Sequence, residues 1–140
     1  MPSTMQRIHT KPDPFEAFSL SQAIAVDPWI FVSGQAALAK DGGIVGEGDF
    51  QVQAEAAFEN LSEVLQVAGS SLADVVKVTI YVTDMQYFPA VVALRQRYFS
   101  APYPADSIVQ VSALALPELM FEIEAVAMRG AGSAKSEGTC

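Results

Sequence analysis

Two carboxylates near the end of the chain, Asp106 and Glu122, have the type and placement to do acid–base chemistry. Glu122 sits in the alternating run 119–128. There Leu119, Phe121, Ile123, Ala125 and Ala127 share one side, and Met120, Glu122, Glu124, Val126 and Met128 share the other. That period of two is the pattern of a strand with one apolar face. Asp106, followed by Ser107, stands at the mouth of an incoming strand, and a short proline-containing connection within 103–129 would make the two strands a pair. If the two carboxylates faced one another in a partly dry cleft, repulsion and desolvation would raise at least one pKa and leave a proton available for acid–base work.

The other reactive residues offer less. His9, the sole histidine, lacks carboxylate or thiolate partners at metal-motif spacing, so no metal site is expected. Cys140 is the final residue of the segment GAGSAKSEGTC, a poor place for a disulfide or a positioned nucleophile. The glycine-rich stretch 40–49 (KDGGIVGEGD) has no lysine-serine or lysine-threonine ending and reads as a connector rather than a phosphate cradle. Gly34, in the string SGQ, allows either a bulge or the close approach of another group to bare backbone. Arg95 and Arg97 stand near the end of a helix and suit its negative pole.

These residues need a frame. With 140 residues, 51% of them hydrophobic and 17% charged, the chain has material for one core, over 1–129, followed by a disordered tail over 130–140. Runs 18–26 and 29–33 read as a hairpin punctuated by Asp27-Pro28, and 5–9 could add a short edge strand. A helical stripe of Ala54, Ala57, Phe58, Leu61, Val64, Leu65 and Ala68 predicts a helix over 50–68, with Asp49 as N-cap and Gly69 as C-cap. On that helix Gln53 and Asn60 are read as solvated or loop-capping amides. A strand over 75–83, a helix over 86–99 and the closing pair complete an α+β sheet with both helices on one face. The other face needs a cover, so a homo-oligomer with pockets at its subunit boundaries is expected. The net charge of −8 opposes nucleic acid as partner. Neither a membrane span nor a signal peptide is indicated, and a cytoplasmic address is the expectation.

Several strings together resemble the Rid (YjgF) family nearly from end to end. They are SQAIA with WIFVSGQ, then QAEAAFENLSEVLQVAGSSLADVVKVTIYVTDM, then FPAVVALRQRYF, and last YPADSIVQVSALALPELMFEIEAVA. The resemblance implies a chorismate-mutase-like homotrimer around a central barrel. It also implies three clefts at the subunit boundaries that take a small-molecule ligand, with no metal or organic cofactor. In deaminase members an arginine before the penultimate strand holds the substrate carboxylate, and a glutamate on the last strand positions or activates water. The glutamate matches Glu122, and Gly34 is retained. The arginine position, next to Ser107, is here Asp106, and a pocket tyrosine aligns with Leu20. An aspartate repels a carboxylate that an arginine would clamp, so the implied ligand is neutral or cationic. Two readings follow: an enamine or imine deaminase, with aminomuconate-type deaminases among its relatives, or a noncatalytic trimeric binding or regulatory protein of the same fold. The older ribonuclease label draws little support from an acidic chain.

Overall fold

The last strand lies in the middle of the sheet, and this placement organises the molecule. The computed structural model describes residues 4–138; Cys140 lies outside the described residues. Six strands form one sheet in the order β1-β2-β3-β6-β4-β5. They are β1 (Gln6–Ile8), β2 (Ala23–Val26), β3 (Trp29–Gln35), β4 (Val75–Val82), β5 (Ala105–Gln110) and β6 (Phe121–Met128). Two helices, α1 (Phe50–Val67) and α2 (Phe88–Tyr98), cover one face. β6 pairs antiparallel with both β3 and β4, so its apolar row must be buried. Phe121, Ile123 and Ala127 are fully buried, with Phe58, Leu61 and Leu65 of α1 in the same core cluster.

The expected closing pair does not form. β5 pairs parallel with β4, not with β6. The reason lies in the intervening helix: α2 provides the crossover that a parallel partner of β4 requires, leaving β5 at the edge. The chain then returns to the sheet centre through a ten-residue connection, 111–120, rather than a short turn.

The helix ends follow local chemistry. Asp49 caps α1 by accepting the N–H of Val52 at 3.1 Å, and Gly69 takes a φ of 75° just beyond the Ala68 cap. α2 begins after a 3-10 turn, Met85–Tyr87, and holds Pro89 in its first turn, where a missing N–H costs nothing. The expected strand over 18–26 shortens to its second half. Glu16–Phe18 forms a 3-10 turn and Ser19 adopts a left-handed φ of 60°, turning Phe18 and Leu20 out of the sheet. Among the described residues, no helix is long and apolar enough to cross a membrane.

The segment after Met128 also departs from the expected disordered tail. Ala131–Ala134 forms a 3-10 turn because Asp74 accepts the N–H groups of Gly130 at 3.2 Å and Gly132 at 2.7 Å. Burial works against the charge of Asp74. The Ser70 hydroxyl and the N–H groups of Gly132, Gly130 and Ser71 outweigh it and hold the carboxyl below the ordinary aspartate range. A depressed folded pKa contributes stability above the unfolded value and loses it as pH falls through the folded one. Asp74→Ala is therefore expected to cost about 1–3 kcal/mol at neutral pH. In the native chain, the protection of the Gly130 and Gly132 amides relative to their intrinsic exchange rates should fall as pH drops below about 4.

Candidate functional site

Glu122 extends from β6 on the face that the helices leave uncovered, directly opposite Tyr81 of β4. On its other side β3 bows away. Val32 pairs with Ala125 and Gln35 with Ile123, so Ser33 and Gly34 together oppose one residue of β6. Such a bulge re-aims the local backbone. The Glu122 carboxyl packs against the bare Cα of Gly34: a Cβ built there would lie 2.6 Å from Cδ of Glu122. That contact, rather than an unusual φ, is why glycine is needed. Gly34→Ala is expected to displace the carboxyl by several tenths of an ångström, a shift that a crystal structure of the variant would show. Circular dichroism should remain unchanged.

Beside Gly34 and Glu122 lies a pocket of about 340 Å³. Phe18 and Leu20 wall it from the lead-in to β2, Ala36 and Leu38 from the segment after β3, and Leu116 and Leu119 from the 111–120 connection. Among the described residues lining it, Glu122 alone is charged. Burial in these surroundings, reinforced by the neighbouring charge of Glu124, pushes the Glu122 carboxyl above the ordinary glutamate range. Glu124 accepts a hydrogen bond from the Tyr81 hydroxyl. That bond, burial, and the charges of Glu124 and Glu122 raise the Tyr81 phenol. By contrast, a cavity bordered by Gln22, Gln35 and Asn60 has only about 20 Å³, room for about one water molecule and no substrate.

Glu122, Gly34 and Leu20 therefore come together, while Asp106 and Ser107 do not join them within the subunit. Asp106 opposes Val78, a core residue, and so lies on the helix side of the sheet, the face opposite Glu122. Its partner is Arg95 of α2, with Nε to Oδ2 at 2.8 Å and Nη2 to Oδ1 at 2.9 Å. This bidentate pair neutralises the aspartate. Within the subunit Asp106 does not act on Glu122; Glu124 is the carboxylate that does. Ser107 is exposed on the uncovered face, with its Oγ 3.4 Å from the Lys77 ammonium. Arg97 pairs with Glu55 at 2.5 Å and Arg7 with Asp13 at 2.7 Å. His9 Nδ1 donates to the Thr10 carbonyl at 3.0 Å. Among the described residues no group of three or more His, Cys, Asp or Glu side chains gathers as a metal site.

Sequence reasoning missed the aromatic wall of the pocket and the Tyr81–Glu124 contact. Phe18 lies inside what reads as a strand, so nothing local shows that it turns outward. Tyr81 could have been found, because it and Glu122 each fall on the polar side of an alternating run.

The chain is similar to known proteins over most of its length. The family profile described as Endoribonuclease L-PSP matches residues 9–129. A RutC family protein of Synechocystis sp. is 40% identical over 127 residues, covering 89% of this chain and 97% of its own length. A Homo sapiens protein named 2-iminobutanoate/2-iminopropanoate deaminase is 36% identical over 110 residues, covering 79% of this chain and 80% of its own. The crystal structure of RidA from the Antarctic bacterium Psychrobacter sp. superposes with a TM-score of 0.80 at 34% identity, covering 88% of this chain and 98% of that one.

Proposed function

The chain belongs to the Endoribonuclease L-PSP family, also called YjgF/Rid, and from that premise we propose that it is a hydrolytic deaminase of a reactive imine or enamine, with Glu122 as the acid–base group. The observation that carries this reading is a glutamate with a raised pKa, held against Gly34 at the edge of an apolar pocket. Relatives named as imine deaminases support the reaction class. The family description's ribonuclease label fits poorly with a net charge of −8, which removes the attraction to a phosphate backbone.

The chemistry needs one group that gives and then takes a proton. The protonated Glu122 carboxyl donates to the imine nitrogen, making the carbon electrophilic. A water molecule adds to that carbon as the Glu122 carboxylate removes its proton. Return of the proton to nitrogen expels ammonia, and the hydroxyl proton passes back to the Glu122 carboxylate as the carbonyl forms, so R₂C=NH and H₂O become R₂C=O and NH₃ and Glu122 is again protonated. An enamine first takes a proton at carbon and then follows the same course. No metal or organic cofactor takes part in this scheme.

The uncovered sheet face is proposed to be closed by two further copies of the chain. Trp29 is 40% exposed, Phe31 49% and Val109 43%, which is more apolar surface than one side of an isolated sheet leaves in water without a partner. Sizing chromatography should give about 45 kDa, three times 14.9 kDa. Phe31→Asp, which places a charge on that face, should shift the peak to the monomer. The proposed activity itself is tested by ammonia release from imines generated in situ, measured against the spontaneous rate. Acceleration of at least about a hundredfold is expected. A rate equal to the spontaneous one with every imine and enamine tried would sink the reading in favour of a binding protein.

A further inference from the structure

Glu122 has a second carboxylate two residues along its own strand, and the hydrolytic step itself gives that group no task. Glu122 and Glu124 both lie on the side of β6 that the helices leave uncovered, with backbones about 7 Å apart at the rise of a strand. At that separation an ionised carboxylate disfavours ionisation of its neighbour, so the two together hold a proton that a lone glutamate would release. Burial first, and the charge of Glu124 second, push the Glu122 carboxyl up.

The adjacent strand distinguishes the two glutamates. Thr79 stands opposite Glu124 and Tyr81 opposite Glu122, yet the Tyr81 hydroxyl reaches diagonally and donates to Oε1 of Glu124. A hydroxyl aimed at a carboxylate makes that carboxylate the acceptor and fixes where its charge sits. The phenol keeps its proton for this bond, because the bond itself, burial, and the charges of Glu124 and Glu122 all push it up. Glu122 instead lies against the bare Cα of Gly34, beside the apolar pocket wall. From β4, Lys77 also faces this side. It stands opposite Val126 and donates to the Val78 carbonyl at 3.2 Å and the Ser107 hydroxyl at 3.4 Å. β3 presents Trp29, Phe31 and Gly34 to β6, and β5 adds Ser107 and Val109 beyond β4, none of them charged. The Tyr81–Glu124 bond joins neighbouring strands of one subunit, so copies that pack on this face bury it without being needed to build it.

We propose that Tyr81 and Glu124 are positioning residues for the deamination: the phenol hydroxyl fixes the negative charge of Glu124, and that charge keeps the transferable proton on Glu122, the carboxyl that faces the pocket. This inference rests on the deaminase reading and adds to it what places the proton. During turnover the proton leaves Glu122 for the imine nitrogen and Glu122 is protonated again as the carbonyl forms, with the Tyr81–Glu124 bond intact throughout.

The test follows the Glu122 carboxyl directly, by carbon-13 NMR titration of the assembled protein labelled at its glutamate side chains, with Glu122→Gln identifying the resonance. Glu124→Gln removes the charge at constant size, and the Glu122 midpoint should move to lower pH. In Tyr81→Phe the Glu124 carboxyl is free to turn away or to take the proton itself, so the midpoint should move the same way by less. Groups supplied by other copies are common to all the proteins compared. With imines generated in situ, the falling limb of the kcat/KM profile should follow the titration. The rate of Glu124→Gln relative to the native protein should be at least about threefold lower near pH 8 than near pH 5. A loss that is uniform across pH, with the Glu122 midpoint unmoved, is a structural effect alone and overturns the proposal, as does a midpoint that moves to higher pH. If no imine is turned over, the deaminase reading fails and the titration alone decides the arrangement: a shift to lower pH in both variants supports it, and an unmoved midpoint overturns it.

Discussion

Glu122→Gln is expected to lower kcat/KM for imine hydrolysis by about 10² to 10⁴, with KM nearly unchanged. Glutamine fills the same space over Gly34 but cannot cycle a proton. In the wild type the reacting form is the protonated carboxyl, so the rate should fall as pH rises through the raised pKa of Glu122. The residual rate of the variant should lack that limb. Stability should move the other way. An acid whose folded pKa is raised contributes stability that is fully present below its unfolded pKa and lost as pH rises through the folded one. Glutamine carries no such cost. Melting temperatures of the two proteins should therefore lie close together near pH 4 and separate in favour of the variant toward pH 8. A variant that is inactive yet no more stable at pH 8 would show that the carboxyl is not held in the desolvated position on which the mechanism depends.

How much of this was legible beforehand depended on which kind of information a residue pattern carries. Alternation in β4 and β6 and the apolar stripe of α1 report which side of an element is buried, and the rows lie inward except at the start of β4, where the irregularity between Val75 and Lys77 turns Val76 out and Val75 in. Asp49 at the start of α1 and Gly69 beyond its end carry their own local signals. Alternation does not name a strand's neighbour. The pairing of β5 with β4 follows from the length and docking of α2, and it sends Asp106 to the helix side, where Arg95, eleven residues earlier, meets it. The Glu122–Gly34 contact depends on a bulge that only pairing with β6 creates. The resemblance to Rid proteins placed Glu122, Gly34 and Leu20 in one site, and they do line one pocket. At Asp106 the aspartate is answered by a guanidinium, a pairing invisible in the strings. Likewise the segment after Met128 is glycine- and serine-rich in composition, yet a single buried carboxylate, Asp74, holds part of it.

Gln53 presents the sharpest test of how the pocket walls are held. It is fully buried in α1. Its Nε2 donates to the carbonyls of Gly46 at 3.2 Å and Glu118 at 2.9 Å, while its Oε1 accepts the N–H of Met120 at 2.9 Å. One amide thus ties the loop after β3 to the connection before β6, the two segments that supply Leu38, Leu116 and Leu119 to the pocket. Gln53→Ala would leave the Glu118 carbonyl and the Met120 N–H without their partner, while the Gly46 carbonyl keeps the Asp49 N–H, and is expected to cost about 2–3 kcal/mol, measurable by urea denaturation. Asn60→Ala, at a half-buried residue that donates to the Ala36 and Leu38 carbonyls, should cost less, about 1–2 kcal/mol. Gln53→Glu discriminates hydrogen bonding from mere bulk. An ionised carboxylate keeps the acceptor for Met120 but sets negative charge against two carbonyl oxygens, whereas a protonated one can still donate to one of them. That variant should therefore be destabilised at pH 7 at least as much as Gln53→Ala and recover part of the loss as pH falls toward 5. If Gln53→Glu were as stable as the native protein at neutral pH, the amide clamp would not be what joins these two walls.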